Sequence, residues 1–261
     1  MMNKEKTLFI FEGVKTESKL IEKLEHNFLG KTNSIKCVFD AEIYQLYRAI
    51  KEEKEFFENN YKGEGSEDFK YSEGSIPILI SAPHSVKQIR NNEYKAADIY
   101  TGALIKTLSK TTNAHVIYKT KTKGDENYTD KNTPYREKIK EIVKDHHIKV
   151  VIDLHGMSDK GDSYIDIGTG GSDNKNLLGC DYILSCVKKS FHNVNYSENK
   201  YFSAKGELTL SHYCSHVLAV PTLQLEISRK YRSKESKNFS FMVNTLSQMI
   251  DDLNDEIIHH L

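Results

Sequence analysis

Two histidines stand where apolar strand gives way to loop. His84 closes the run Ser81-Ala82-Pro83-His84 behind the apolar stretch 78–80, and His155 lies in Asp153-Leu154-His155-Gly156 behind the stretch 149–154. In open α/β sheets, ligands gather at the carboxyl ends of strands. Two imidazoles at adjacent strand ends suit one Zn²⁺, with a carboxylate as third ligand and a water as fourth. Asp98 and Glu93 are the candidate carboxylates. Asp153, two residues before His155, suits a role in orienting a ligand. Any one of the eleven histidines is as readily a polar loop residue. The pairing at two strand ends carries the weight.

Glu226 is the third element. It ends Leu223-Gln224-Leu225-Glu226-Ile227, where apolar and polar residues alternate. A glutamate at the end of an inner strand suits a general base, and the bland alternative is a solvent-facing carboxylate paired with Arg229. Asp125-Glu126-Asn127-Tyr128 offers an amide or carboxylate contact from a polar loop. Gly206-Glu207-Leu208-Thr209 offers a hydroxyl or a backbone donor. Arg229 and Arg232 carry guanidinium forks suited to carboxylates, yet Lys230, Arg232, Lys234 and Lys237 also read as a solvated basic run. Gly168-Thr169-Gly170-Gly171-Ser172 lacks the Lys-Ser/Thr of a phosphate loop and reads as a flexible loop. Cys214 between His212 and His216 gives no firm nucleophile.

These residues need a scaffold, and the chain predicts one. Apolar runs at 7–11, 35–39, 78–80, 114–118, 149–154, 163–167 and 222–227 read as strands. Helical periodicity covers 15–28, 42–57, 97–109, 134–146, 177–190 and 238–260. The alternation predicts an α/β sheet with helices on both faces. Residues 59–75, rich in glycine and charge, read as a linker or long loop between a small α/β segment at 1–72 and a main domain at 73–261. The length of 261 residues fits one large domain with an appendage.

Lys plus Arg and Asp plus Glu both number 37, so nothing pulls the protein toward nucleic acid or an anionic membrane. No apolar run approaches the roughly 18 residues of a membrane span, and the N-terminus lacks a signal-peptide core. The four cysteines form no CxxC pair and read as reduced thiols. A cytoplasmic location is expected.

The order of short motifs resembles the N-formylglutamate amidohydrolase family. It runs Ser81-Ala82-Pro83-His84-Ser85, Asp98, Asp125-x-Asn127, Asp153-Leu154-His155-Gly156, Gly206-x-x-Thr209-x-x-x-Tyr213 and Gln224-Leu225-Glu226-Ile227, and the likeness covers residues 76–260. The family is similar to zinc carboxypeptidases and aspartoacylases. The resemblance implies a twisted mixed sheet flanked by helices, of the phosphorylase/hydrolase-like, zinc carboxypeptidase-like kind. It implies one zinc held by His84, Asp98 and His155, with Glu93 as the fallback carboxylate. It implies Glu226 as general base in attack of a metal-activated water on the amide of an N-acyl amino acid or small peptide. The related enzymes place Arg after Asp-x-Asn to grip the substrate carboxylate. Tyr128 stands there instead, which leaves Arg90, Arg136 or Arg229 as candidates, with Asn127 and Thr209 as further substrate contacts.

Residues Phe9-Ile10-Phe11-Glu12-Gly13-x-x-Thr16-Glu17 separately resemble the opening of a TOPRIM-type nuclease domain, in which the glutamate helps hold Mg²⁺. The Asp-x-Asp such a domain requires does not follow before residue 59. Two rivals accompany the hydrolase reading: a catalytically silent metal-binding or regulatory protein on the same fold, and a nucleic-acid enzyme using this N-terminal segment.

Overall fold

Side-chain alternation along parallel strands decides which residues meet in this protein. Its computed structural model describes residues 41–63, 66–159, 161–233 and 238–260. The strands expected at 7–11 and 35–39, the helix at 15–28, the TOPRIM-like Glu12 and Cys37 lie outside the described residues.

In chain order the elements are α1 (Ala41–Tyr61), β1 (Phe69–Ser72), β2 (Ile76–Ala82), β3 (Gln88–Arg90), β4 (Glu93–Lys95), α2 (Thr101–Thr111), β5 (Ala114–Lys119) and α3 (Pro134–Asp145). They continue with β6 (Val150–Met157), β7 (Ile165–Gly168), α4 (Asp181–Ser190), β8 (Tyr196–Glu198) and the short α5 (Leu210–His212), which runs into a π turn at Tyr213–Val217. β9 (Thr222–Ser228) and α6 (Asn238–His259) follow. Seven strands form a mixed sheet in the order β1-β5-β2-β6-β9-β7-β8, and β3-β4 is a separate hairpin. β5, β2, β6 and β9 run parallel, while β1 and β7 lie antiparallel to β5 and β9.

The central strands are buried on both faces. One face presents Ile78, Ile80, Val150, Ile152, Leu154, Leu223, Leu225 and Ile227 to the apolar stripes of α1, α2, α4 and α6. The other presents Leu79, Ile117 and Val151 to Tyr135, Ile139 and Ile142 of α3 and to Leu210, Tyr213 and Cys214. Because side chains alternate, Asp153 and His155 share the face of Val151, and Gln224 and Glu226 stand beside them on β9. The same alternation that builds the core thus lines up the polar residues at one end of it. Truncating a fully buried residue such as Leu225 to Ala costs about 2–5 kcal/mol.

Local signals explain the helix ends. Thr133 caps α3 by accepting from the Arg136 N–H, and Pro134 occupies the first turn, where its missing donor is harmless. In α6, Phe239, Met242, Val243, Leu246, Met249, Ile250, Leu253 and Ile257 form the inward stripe. Among the described residues, no helix is long and apolar enough to cross a membrane. Cys180, Cys186 and Cys214 are free thiols.

Several elements differ from expectation. The stretch 59–75 contains β1, an edge strand whose Phe69 and Tyr71 pack inward while Lys70 and Ser72 face out. With only four residues and no aliphatics, it gives little periodic signal. β6 runs on to Met157, so His155 lies inside a strand and not beyond it. The hairpin β3-β4 and the strand β8 were not anticipated. α2 begins at Thr101 and α4 at Asp181, the latter after a separate turn at Lys175–Leu177. α1 and β1 fall within the segment 1–72, and α1 contributes Ala49, Phe56 and Tyr61 to the main core.

Glu53 joins α1 to α2. It is buried, and its Oε1 accepts from the Tyr61 hydroxyl at 2.6 Å and from the Tyr100 N–H at 2.8 Å. Tyr100 is left-handed (φ 67°) and gives α2 no side-chain cap, so an acceptor from α1 takes that place. Phe56 also lies against Gly102, where any Cβ would collide with its ring.

Burial pushes the Glu53 carboxyl up to about 7, above its ordinary 4.5, despite the lowering effect of its hydrogen bonds. The folded protein therefore binds a proton that the unfolded chain has released between these values. The stability contributed by the neutral form is complete below about pH 4.5 and lost as pH rises through about 7. Glu53→Gln is neutral at every pH. It should therefore gain thermal stability relative to the wild type at pH 8 compared with pH 4.5, followed by circular dichroism melts. An equal Tm difference at both pH values would contradict this.

Candidate metal centre

His84 emerges just beyond β2, and His155 lies near the end of the adjacent β6. Both are buried, and their rings meet edge to face with centroids 4.5 Å apart. Asp98 arrives from the other side, on the loop between the hairpin and α2. Its N–H donates to the His84 carbonyl at 2.8 Å, which ties loop to strand. Its Oδ2 lies 3.2 Å from His155 Nδ1 and 3.4 Å from His84 Nδ1, and accepts from the Gly156 N–H at 3.1 Å. Both Nδ1 atoms thus converge on one carboxylate oxygen. These residues can each offer one ligand atom, all within 4.8 Å of one another. Two imidazole nitrogens and a carboxylate oxygen form a donor set suited to a first-row divalent cation.

The opposite nitrogens are also engaged. His84 Nε2 is 2.8 Å from Asp125 Oδ1, and His155 Nε2 is 3.2 Å from Asp153 Oδ1 and 2.8 Å from Asn127 Nδ2. A histidine bound to a cation through Nδ1 keeps its proton on Nε2. Asp125 is the acceptor for the His84 proton, which is how a carboxylate orients a ligand histidine, while Asp153 Oδ1 lies near His155 Nε2 without a hydrogen bond. Loading His155 Nδ1 also takes its Nε2 away from the Asn127 amide.

Glu226 completes the group. It is paired with His155 across the β6-β9 ladder, and Gln224 Nε2 donates to its Oε1 at 2.7 Å. Burial, reinforced by the charge of Asp98 and opposed by His155, pushes its carboxyl up to about 7. Asp98 goes the other way. Burial works against its ionised form, but hydrogen bonds and charge from His155 and His84 hold it well below the usual carboxylate range. Asp125 is likewise lowered, chiefly by its hydrogen bond to His84, against the effect of burial. Burial opposes protonation of His155, yet Asp153, Asp98 and Glu226 raise its proton affinity well above normal. Two carboxyls are therefore driven apart: Asp98 stays ionised while Glu226 takes up a proton near neutrality.

The structure brings together His84, Asp98, His155, Glu226, Asn127 and Arg90. The Arg90 Nε and Nη2 donate to Asp125 Oδ2 at 3.0 and 2.6 Å, and its guanidinium lies 4.4 Å over the Tyr128 ring. Glu93 sits on the exposed hairpin, outside the cluster. Arg136 is buried, with Nη2 donating to the carbonyls of Glu126 and Leu208. It braces two loops and leaves that nitrogen no open face for a substrate. Thr209 caps α5 by accepting from the His212 N–H. Arg229 is exposed on the turn after β9.

Arg232 departs most from expectation. It is buried and not part of a solvated run. A guanidinium in a basic stretch gives no local sign of which way it turns. Lys95 was also missed. It lies on the hairpin face shared with Gln88, and its Nζ is 3.0 Å from His84 Nδ1.

No family model matches the chain, and no curated protein matches it. Solved structures do. A gene product of Agrobacterium tumefaciens is 11% identical over 74% of this chain and 96% of its own, with a TM-score of 0.55. The N-formylglutamate amidohydrolase of Ralstonia eutropha is 11% identical over 74% of this chain and 99% of its own, with a TM-score of 0.52. A metallo-carboxypeptidase of Pseudomonas aeruginosa is 11% identical over 71% of this chain and 61% of its own, with a TM-score of 0.43. The likeness is one of fold. It agrees with the mixed, helix-flanked sheet that the motif order implied.

An ammonium beside a ligand nitrogen opposes a second cation there. Lys95→Met should therefore tighten Zn²⁺ or Co²⁺ binding roughly fivefold, read by calorimetric titration. Unchanged or weaker binding would show that Lys95 does not face the incoming ion.

Proposed function

We propose that this protein is a zinc-dependent hydrolase that cleaves the amide bond of an N-acyl amino acid or small peptide. The convergence of two Nδ1 atoms and the Asp98 carboxylate, with Glu226 beside them on the next strand, carries this reading. The hydrolase fold of the Ralstonia enzyme supports it.

His84, Asp98 and His155 hold the ion in this proposal. A bound divalent cation polarises a carbonyl and makes water more acidic. Glu226 removes a proton from the attacking water and delivers it to the leaving nitrogen. Its buried position beside Gln224 aims one oxygen and leaves the other for this work. Asp125 retains the His84 imidazole proton and so keeps that ring in the ligand tautomer, while the Asp153 charge beside His155 favours a proton on its Nε2. Arg90 has a side chain about one third exposed, at 34%, and its guanidinium lies over the Tyr128 ring. It is the proposed contact for a substrate carboxylate, in place of an arginine at position 128. Asn127, whose Oδ1 accepts from the Leu210 N–H at 2.7 Å, stands beside His155 as a second substrate contact.

Protein purified without added metal or chelator should carry about one zinc per chain, and a folded His84→Ala/His155→Ala variant should carry none. Equal metal in both would remove the assigned ligands. Metal with no hydrolysis of any N-acyl amino acid or peptide would favour the silent, metal-binding alternative.

Glu226→Gln should keep the metal and lose turnover by about a hundredfold to ten-thousandfold. Full activity in this variant would exclude Glu226 as the base. Glu226 must be ionised to accept a proton, so activity rises with pH through its pKa. A bound cation stabilises the ionised form, which places the acidic limb of kcat/KM below about 7. That limb should vanish in Glu226→Gln.

A further inference from the structure

Arg232 lies behind the cluster, on the turn that follows β9. Its guanidinium donates in three directions. Nε reaches the Ile227 carbonyl at 3.1 Å, Nη2 reaches the Met157 carbonyl at 3.1 Å, and Nη1 reaches the Ile99 carbonyl. Ile227 follows Glu226, Met157 lies two residues beyond His155, and Ile99 follows Asp98. The three segments are two strands and a loop, and the Arg232 guanidinium bonds to all three.

The packing is tight. A Cβ at Gly156 would collide with the Arg232 guanidinium. Glycine therefore lets the cation lie directly against the strand that carries His155, and the Gly156 N–H turns to Asp98 Oδ2. Among the described residues, no carboxylate lies within ion-pair distance of Arg232, so this is not a buried salt bridge. A buried cation carries a desolvation cost, which here is offset by hydrogen bonds to neutral carbonyls. Asp98, Glu226 and Glu53 surround it at longer range, and their charge favours the cation that burial disfavours.

We propose that Arg232 is the positioning residue of the metal centre, setting the relative placement of Asp98, His155 and Glu226 through the backbone carbonyls of Ile99, Met157 and Ile227. The role belongs to arginine. A planar fork can address three carbonyls in fixed directions, whereas a lysine ammonium sits at a single point. This inference rests on the metal-centre reading above.

The test titrates Co²⁺ into the full chain and follows its visible absorption, in wild type, Arg232→Lys and Arg232→Met. Phe191→Leu, a buried core substitution on the α4 side of the sheet, serves as a control for lost stability alone. The Arg232 variants should bind Co²⁺ about ten- to a hundredfold more weakly and with an altered spectrum. Phe191→Leu should lower Tm but keep both affinity and spectrum. Arg232→Ala refolded with methylguanidinium should recover the wild-type spectrum in part, and it carries the test if the Lys and Met variants do not fold. Affinity within twofold of wild type in any folded Arg232 variant without methylguanidinium overturns the proposal. So does an Arg232→Ala spectrum that methylguanidinium leaves unchanged. Failure of the wild type itself to bind Co²⁺ overturns the metal reading and this inference with it, and that arm separates the two failures.

Discussion

Charge removed from water must find compensation nearby, and this constraint shapes the end of the sheet where Asp98, Asp125, Asp153 and Glu226 gather. Three of these are buried below a tenth of their surface, and Asp98 is little more exposed. Each has a defined counterweight. Asp98 faces both imidazoles, Asp125 faces His84 and Arg90, Asp153 faces His155 and the Ser211 hydroxyl, and Glu226 is held near neutrality by its surroundings. Remove one partner and the rest become unpaired charge in a poor solvent. The loops reflect this. The Asp125–Asn127 loop is anchored at its middle residue, by a buried Lys119–Glu126 pair at 2.6 Å and by Arg136 on the Glu126 carbonyl.

The sheet contributes order and the loops contribute charge. Parallel neighbours β2, β6 and β9 end side by side, so their C-terminal residues are neighbours by topology alone. That fixes His155 and Glu226 to within one strand spacing. His84 and Asp98 need more, because they lie beyond regular structure. The hydrogen bond from the Asp98 N–H to the His84 carbonyl, the acceptor that Glu53 offers Tyr100 and the Arg232 donor to the Ile99 carbonyl supply what the ladder does not. The site is thus regular on one side and assembled from long-range contacts on the other.

This division also marks what the sequence makes legible. β6 reads as a buried strand because Val150, Val151 and Ile152 permit no solvent face, and Glu226 reads as a site residue because it alternates with Leu223 and Leu225. The choice of Asp98 over Glu93 came from motif order, and spacing alone left both open. The burial of Arg232 and Arg136 is not legible, because nothing local separates a buried guanidinium from an exposed one. Their partners are backbone carbonyls, several of them far along the chain, and a carbonyl has no signature in the sequence. β1 escaped notice for a related reason. An edge strand of four residues is defined by the neighbour it pairs with and not by its own apolar pattern.

β1 has a consequence for how the chain can be divided. It pairs along β5 from Phe69–Lys119 to Ser72–Val116, and α1 covers the helix whose approach carries Asp98. A cut at the glycine-rich stretch looks harmless on composition. It would leave β5 as a bare sheet edge, its outward amides and carbonyls unpaired and available to any other strand. It would also strip Ala49 and Phe56 from the core and open apolar surface beside that edge. The catalytic-looking half would then be a self-associating fragment, and solubility, more than chemistry, would betray the missing piece.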